Sequence, residues 1–191
     1  MQVETAAGIL LESPYGIHSL IVYSDLVTLQ EFVSFYTKKS IEEKEEVVCL
    51  ATFYETIESV KKTLAEERYM PLDVQKYEKE EKSLIIIDSL KKYLDSKANR
   101  IFDVKSAVKA NYFLVDYAKT LNKKGVSILG DMGAFLFMNQ VHNLVDYELA
   151  LPDEFDVNLK GVCLYHYRDF DRLPENQKKK IIKKHRIAIK I

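Results

Sequence analysis

The chain has 191 residues, of which 47% are hydrophobic and 30% charged, and this is the composition of a globular protein with a sizeable core. Its 28 basic and 29 acidic side chains nearly cancel, so no overall charge draws the chain to nucleic acid or to an anionic membrane. No apolar run approaches the roughly 18 residues of a membrane-spanning helix and the first residues lack a signal-peptide pattern, so we expect one cytoplasmic domain over residues 1–191.

Short apolar runs alternate with helical patterns along the first half of the chain. Residues 17–24 are rich in strand formers, and residues 26–39 then place apolar side chains at helical spacing. The unit repeats as a strand at 45–53 and a helix at 54–67, and a third strand follows at 83–89. Strands that alternate with helices in this way are typical of a parallel sheet.

The second half continues the same alternation. The predicted elements are a helix at 103–125, a strand at 126–132, a helix at 133–151 and a strand at 160–167. Asp103 is expected to cap the first of these helices and Pro152 to stop the second. The basic segment 178–190 is interrupted by isoleucines, which indicates an amphipathic terminal helix or strand with solvated lysines.

These elements predict an α/β fold of three layers, in which a mostly parallel sheet has helices on both faces. In such sheets ligands bind in the crevice beyond the carboxyl ends of the strands. Acidic and aromatic residues gather at those ends. The predicted ligand-binding residues are Tyr23, Asp25, Phe53, Asp88, Asp131, Met132, Tyr165 and His166. Taken singly, each of them can equally be a helix cap or a packing residue at the rim.

The first strand-to-helix junction has no phosphate loop. The glycines stand at positions 8, 16, 125, 130, 133 and 161, and none of them begins a GxxxxGK[ST] pattern. Asp25 stands there instead, where its carboxylate can take the free N–H groups of the helix and cancel the positive end of the helix dipole. Asp88 then has no triphosphate-bound magnesium to hold, so we do not expect an active ATPase.

Other chemistry has little support in the residue spacing. Four histidines and two cysteines lack the close pairs that zinc sites usually show, so we expect no metal and no cofactor. There is no GxSxG motif, and Cys163 and His166 should point to opposite faces of their strand, so we expect no catalytic residues. His18 is expected to be a core or rim histidine. Acid–base chemistry by paired aspartates stays open.

The ordered motifs along the chain resemble those of the methanogen/methylotroph sensory (MEDS) domain family. The resemblance rests on HSLIVYSDLVTLQEF from residue 18, GDMGAFLFMNQVHNLVDYELALPDEF from residue 130 and GVCLYHYRDF from residue 161. The residues that match the family pattern are His18, Tyr23, Asp25, Asp131, Met132, Tyr147, Glu148, Cys163, Tyr165 and His185. Arg186 departs from that pattern, which has a proline after the late histidine.

The resemblance implies a relative of the RecA/KaiC ATPase core without its phosphate loop. It implies a non-catalytic sensory role in signalling or transcription regulation, with a small organic ligand at the strand ends. No helix-turn-helix is recognisable, so output needs a protein partner, either a regulator or an ATPase. The alternative is an interaction module of a KaiC/RecA-type ATPase system with no ligand of its own. Self-association stays open, and nucleic acid is not expected as a partner.

Overall fold

A computed structural model of the chain describes residues 1–95, 100–101 and 104–191. The strands are β1 (His18–Tyr23), β2 (Glu46–Thr52), β3 (Leu84–Asp88), β4 (Leu94–Asp95), β5 (Arg100–Ile101), β6 (Gly125–Asp131), β7 (Leu159–His166) and β8 (Ile187–Lys190). The helices are α1 (Val3–Glu12), α2 (Leu26–Glu42), α3 (Ile57–Ala65), α4 (Ser89–Tyr93), α5 (Val104–Thr120), α6 (Gly133–Phe137), α7 (Val141–Ala150), α8 (Tyr167–Arg172) and α9 (Glu175–Lys184), with a π-helical turn at Lys76–Glu80.

One six-stranded sheet forms the centre of the molecule, in the order β3-β2-β6-β7-β1-β8. Every neighbouring pair in it is parallel, while β4 and β5 form a separate antiparallel pair. All residues of β1 and β6 are buried, as expected for strands covered on both faces. The α/β fold with a parallel central sheet, predicted from the sequence, is confirmed.

Helices cover both faces of the sheet. On one face, α1, α2 and α3 pack through residues such as Leu10, Phe32 and Leu64. On the other face, α4 to α9 pack through residues such as Leu144 and Ile181. Since β2 leads into α3 and β6 leads into α6, the connections leave these adjacent strands toward opposite faces. The connections after β1 and β7 diverge in the same way, so crevices open at the carboxyl ends of both strand pairs.

Two predicted helix boundaries are wrong. The predicted helix 133–151 is two helices, because Asn139 adopts a left-handed conformation (φ 53°) that ends α6 and lets the chain turn into α7. The predicted helix 103–125 ends at Thr120, because Asn122 is left-handed as well (φ 55°) and begins the turn into β6. The predicted cap Asp103 lies outside the described residues.

Several elements were not predicted from the sequence, among them α1, α8 and β8. The helix α1 and the short helix α8 have no counterpart in the sequence analysis, and β8 adds a sixth parallel strand at the edge of the sheet. The basic segment 178–190, predicted as a helix or a strand, contains both: most of α9 and then β8. None of the helices in the described ranges combines the length and apolar character needed to cross a membrane.

Candidate functional site

The carboxyl ends of β1, β2, β6 and β7 bring four of the predicted residues together. The Tyr23 hydroxyl donates a hydrogen bond to Asp131 Oδ2 at 3.1 Å. The Tyr23 ring meets the His166 ring edge-on, with 5.4 Å between the ring centroids. Phe53 follows β2 and lines the same cavity as Asp131. We call this group, Tyr23, Phe53, Asp131 and His166, the strand-end cluster.

Two further residues complete this site. Tyr54 packs against both Phe53 and His166, with ring centroids 4.9 and 5.5 Å away, and its hydroxyl donates a hydrogen bond to Asp169 Oδ2 in α8. Neither Tyr54 nor Asp169 was among the ligand-binding residues predicted from the sequence. Tyr54 directly follows Phe53 at a strand end, which is a signal that could have identified it. Asp169 lies inside a helix and carries no such signal.

A cavity of about 30 Å³ lies beside the strand-end cluster. Its walls are mostly apolar, and they come from α2, β2, the loop after β2 and α3, with contributions from β6 and β7. The lining residues are Leu29, Val33, Leu50, Ala51, Thr52, Phe53, Tyr54, Glu55, Val60, Leu129, Asp131 and Leu164. A space of this size holds only one or two water molecules, so it suits a very small molecule.

Gly133 allows the rings of Phe53 and Tyr54 to pack close to the Asp131 carboxyl group. A Cβ atom at this position would lie 2.5 Å from Phe53 Cδ1, 2.9 Å from Tyr54 Cε2 and 3.1 Å from Asp131 Oδ1. Any larger residue would therefore push the two rings away from the carboxyl group. The glycine is needed because it has no Cβ atom, and its backbone N–H donates to Asp131 Oδ1 at 2.9 Å.

Asp131 is the buried acid of the strand-end cluster, with 2% of its surface exposed. Burial raises the pKa of its carboxyl group to about 7, although the hydrogen bonds from Gly133 and Tyr23 favour the ionised form. The negative charges of Asp169 and Glu55 add to the rise. The carboxyl group therefore changes its protonation state near neutral pH.

Asp25 and Asp88 stand at helix starts rather than in the cavity wall. Asp25 is the exposed N-cap of α2, and its Oδ1 accepts a hydrogen bond from the Thr28 N–H at 2.9 Å. This bond is the main reason why the pKa of Asp25 is lowered. Asp88 Oδ1 accepts from the Leu90 N–H at 2.8 Å in the first turn of α4. A ligand-binding role for these two acids stays a prediction.

Met132 and Tyr165 face the opposite side of the sheet from the 30 Å³ cavity. Both are fully buried in the core formed with α4 to α9. The Tyr165 hydroxyl donates a hydrogen bond to Glu148 Oε1 of α7. Met132 lines a second cavity, of about 20 Å³. Their predicted ligand contacts would therefore belong to a different site from the strand-end cluster.

That second site contains four buried residues that could bind a metal ion: His18, Glu148, Cys163 and His185, which we call the His/Glu/Cys cluster. His18 Nε2 lies 3.4 Å from Cys163 Sγ, and Glu148 Oε2 lies 3.4 Å from His185 Nε2. From the sequence, His18 was expected to be a core or rim histidine, and a metal site formed by the histidines and Cys163 was not expected, because no close ligand pair joins them. They come from β1, α7, β7 and the end of α9, so no short motif joins them.

The cavity of about 20 Å³ lies next to this cluster and has room for about one water molecule. Its lining includes His18 and Cys163 together with polar groups of Tyr93, Asn111 and Tyr147. Within the described parts of the chain, Asn111 Oδ1 and His18 Nδ1 are buried without a hydrogen-bond partner. Unpaired buried polar atoms are costly, so this cavity is suited to a polar occupant.

Electrostatics within the His/Glu/Cys cluster favour one charge pair. Burial opposes a charge on His185, but the Glu148 carboxylate outweighs it, and the pKa of His185 is raised. Burial and the neighbouring His185 lower the pKa of His18 to about 4. Burial and Glu148 raise the pKa of the Cys163 thiol. Without a metal, these shifts favour a His185–Glu148 ion pair beside a neutral His18 and a Cys163 thiol.

The parallel sheet with helices on both faces and crevices at the strand ends defines a doubly wound α/β domain. Among solved structures, the chain resembles a KaiC-like protein from the hyperthermophilic archaeon Pyrococcus horikoshii OT3, with a TM-score of 0.59 and 16% identity. The match covers 93% of this chain and 72% of that one. At this identity the likeness establishes the fold, and it agrees with the RecA/KaiC-like core that the sequence resemblance implied.

The family model of the methanogen/methylotroph, DcmR sensory domain (MEDS) matches residues 17–186. The chain therefore belongs to the MEDS family, which is a family of sensory domains, and the resemblance seen in the sequence is confirmed. The search of curated proteins gave no match.

Proposed function

We propose that the chain is a non-catalytic sensory domain that binds a small organic molecule at the strand-end cluster and signals through a protein partner. Membership of a sensory family supports the general role. The observation that carries the proposal is the environment of Asp131, a buried carboxyl group held by Tyr23 and Gly133 next to an apolar cavity. Apolar walls with one fixed polar group are typical of small-molecule sites.

The chemistry of the cavity favours a small amphipathic ligand. Its aromatic and aliphatic walls suit a short hydrocarbon part, while Asp131 can accept a hydrogen bond from a hydroxyl or amino group. The volume of about 30 Å³ restricts the ligand to a few non-hydrogen atoms. A nucleoside triphosphate is far too large. Small alcohols and amines are therefore the ligand classes that the cavity supports best.

A thermal-shift screen followed by calorimetry tests this proposal. We expect at least one small alcohol or amine to raise the midpoint of unfolding, and Asp131→Asn to weaken its binding at least tenfold. Asp116→Asn is the matched control, because Asp116 lies on α5 with its side chain 75% exposed. The proposal is wrong if no compound binds, or if Asp131→Asn binds as tightly as the parent protein.

A second candidate function, an interaction module for a KaiC/RecA-type ATPase, is favoured by the rim around the same strand ends. Several large apolar side chains are exposed there, after β1, β2, β6 and β7. They are Leu26, Val27, Tyr54, Phe137 and Tyr167, with exposed fractions between 38% and 67%. Exposed apolar patches of this kind often bind proteins.

The two candidates separate in a mixing experiment with a purified KaiC-type ATPase from the same organism. If the rim is the interface, light scattering after size exclusion will show a complex, and Phe137→Glu will abolish it. Phe113→Glu is the matched control, because Phe113 is equally exposed (71%) but lies on α5. Absence of a complex, together with binding of a small molecule, would leave the ligand sensor as the function.

A further inference from the structure

We propose that the His/Glu/Cys cluster is a binding site for a divalent transition-metal ion, with zinc as the best match. His18 Nε2, Glu148 Oε2, Cys163 Sγ and His185 Nε2 supply two nitrogen, one oxygen and one sulfur donor. This donor set suits zinc, which binds histidine, cysteine and carboxylate together in proteins. The site is independent of the strand-end cluster and of the proposed small-molecule ligand.

The spacing of the donors is close to that of a tetrahedral site. Metal–ligand distances of about 2.0 to 2.3 Å imply separations of roughly 3.3 to 3.7 Å between ligand atoms. Glu148 Oε2 lies 3.6 Å from His18 Nε2, 3.5 Å from Cys163 Sγ and 3.4 Å from His185 Nε2, and His18 Nε2 lies 3.4 Å from Cys163 Sγ. No pair of donor atoms is more than 4.8 Å apart, so small side-chain shifts would complete the tetrahedron.

Groups outside the donor set hold the donors in place. The Nδ1 of His185 lies 2.7 Å from the Ile181 carbonyl oxygen, and a proton donated there leaves the Nε2 lone pair facing Glu148. The Tyr165 hydroxyl donates to Glu148 Oε1, which leaves Oε2 for an ion. Metal ligands in proteins usually have such a second layer of hydrogen bonds, which fixes the tautomer of a histidine and the orientation of a carboxylate.

Charge balance also favours a dication. All four residues are buried, with at most 7% of their surface exposed. A zinc ion with the Cys163 thiolate and the Glu148 carboxylate forms a neutral unit, which avoids burying a net charge. Metal binding would also use the His185 Nε2 atom, which faces the Glu148 carboxylate at 3.4 Å.

The expectation of no metal rests on the absence of close ligand pairs in the sequence, and the fold removes that reason. Each donor comes from a different element, and the donors converge because β1 and β7 are neighbours with His18 paired to Gly161, two residues before Cys163. An ion would therefore join both strands to α7 and to the end of α9.

Zinc binding by the purified full chain tests the site. After removal of metal with a chelator and dialysis, we expect zinc chloride to bind with one ion per chain and to raise the midpoint of unfolding. Cys163→Ala should reduce zinc affinity at least 100-fold. Cys49→Ala is the matched control because Cys49 is the other buried free cysteine, and it should still bind one ion.

Cobalt substitution keeps the test decisive if Cys163→Ala fails to fold. Cobalt bound to the parent protein should give a thiolate-to-cobalt charge-transfer band and the intense visible bands of tetrahedral coordination. The proposal is overturned if the parent protein binds no zinc, if its cobalt spectrum lacks the thiolate band, or if Cys163→Ala binds zinc as tightly as Cys49→Ala. In each of those cases the cluster is a protonated His185–Glu148 pair beside a thiol.

Discussion

Asp131 and Glu148 are both buried carboxyl groups, and their pKa values shift in opposite directions. For Asp131, burial dominates over two hydrogen bonds, and its pKa is raised to about 7. Burial also raises the pKa of Glu148, but the effects of His185 and His18 are larger than that of burial. The pKa of Glu148 is therefore lowered. The nearest charged partner, more than the depth of burial, decides whether a carboxyl group in this core is ionised.

We expect Asp131→Asn to change how stability depends on pH. The folded-state pKa of about 7 lies above the ordinary value of 3.8, so between these pH values the folded chain keeps a proton that the unfolded chain has released. The contribution of Asp131 to stability is therefore present below about pH 4 and is lost as pH rises through 7. Between these pH values the free energy of unfolding falls by up to about 1.4 kcal/mol per pH unit because of Asp131. An asparagine, which does not titrate, removes this dependence.

Urea unfolding of both proteins between pH 5 and about pH 7.5 measures this effect. The parent protein should lose stability relative to Asp131→Asn as pH rises, because burial, together with the negative charges of Asp169 and Glu55, disfavours the ionised carboxylate in the folded chain. Asp116→Asn, a change at an exposed position, should follow the parent protein. A difference between the parent protein and Asp131→Asn that stays constant across this range would show that Asp131 titrates elsewhere.

At the scale of elements, the sequence predicts strands better than helix ends. The strands β1, β2, β3, β6 and β7 are continuous apolar runs, and their predicted bounds differ from the observed bounds by one residue. The helix ends depend on single residues: Asn139 and Asn122 adopt left-handed conformations that a hydrophobic pattern does not show. The edge strand β8 has only four residues and follows the lysine-rich helix α9, so the sequence pattern of segment 178–190 did not distinguish a strand from a helix.

The two candidate sites also differ in whether the sequence alone could predict them. The strand-end cluster could be predicted, because parallel strands place their carboxyl ends at one edge of the sheet. The His/Glu/Cys cluster could not, because its formation requires knowing that β7 lies beside β1 and that α7 and α9 cover the same face. A position at a strand end does not by itself place a side chain in the strand-end cluster. Met132 and Tyr165 stand at or near strand ends, but their side chains point to the face of the sheet that α4 to α9 cover.

We expect neighbouring isoleucines in α9 to differ strongly in their effect on stability. Ile181 is fully buried against the sheet, whereas Ile182 is 43% exposed. Ile181→Ala should therefore lower the free energy of unfolding by about 2 to 5 kcal/mol, because it leaves a cavity in the core. Ile182→Ala, with the same chemistry, should cost less than about 1 kcal/mol.

Denaturant unfolding of the two alanine variants measures this difference directly. The result also reports on the His/Glu/Cys cluster, since His185 follows α9 and its ring contacts the Ile181 carbonyl oxygen. Equal losses for the two variants would mean that α9 is not packed on the sheet as described.

Over the whole molecule, the two candidate sites lie on opposite faces of the sheet but share two strands. β1 carries His18 of the buried cluster at its start and Tyr23 of the strand-end cluster at its end. β7 carries Cys163 and, at its last residue, His166. A ligand that moves Tyr23 or His166 therefore acts on the strands that hold two of the proposed metal ligands.

We expect Mg-ATP to leave the midpoint of unfolding unchanged and to show no turnover, although the fold resembles a KaiC-like protein. The reason is local: the first turn of α2, where a phosphate loop would present its N–H groups, already donates the Thr28 N–H to Asp25. A nucleotide present at 100 times its dissociation constant would stabilise the fold by about 2.7 kcal/mol, so a flat response is informative.

Two variants locate the cause of this expected result. Asp25→Asn keeps a capping oxygen but removes the negative charge, so inorganic phosphate should then bind measurably at the start of α2. Asp73→Asn is the control, because Asp73 also accepts a backbone N–H, from Lys76, but at a different turn. Phosphate binding by Asp25→Asn alone would show that the Asp25 charge keeps anions away from this helix. Tight Mg-ATP binding by the parent protein would instead mean that a carboxylate at the helix start does not prevent nucleotide binding.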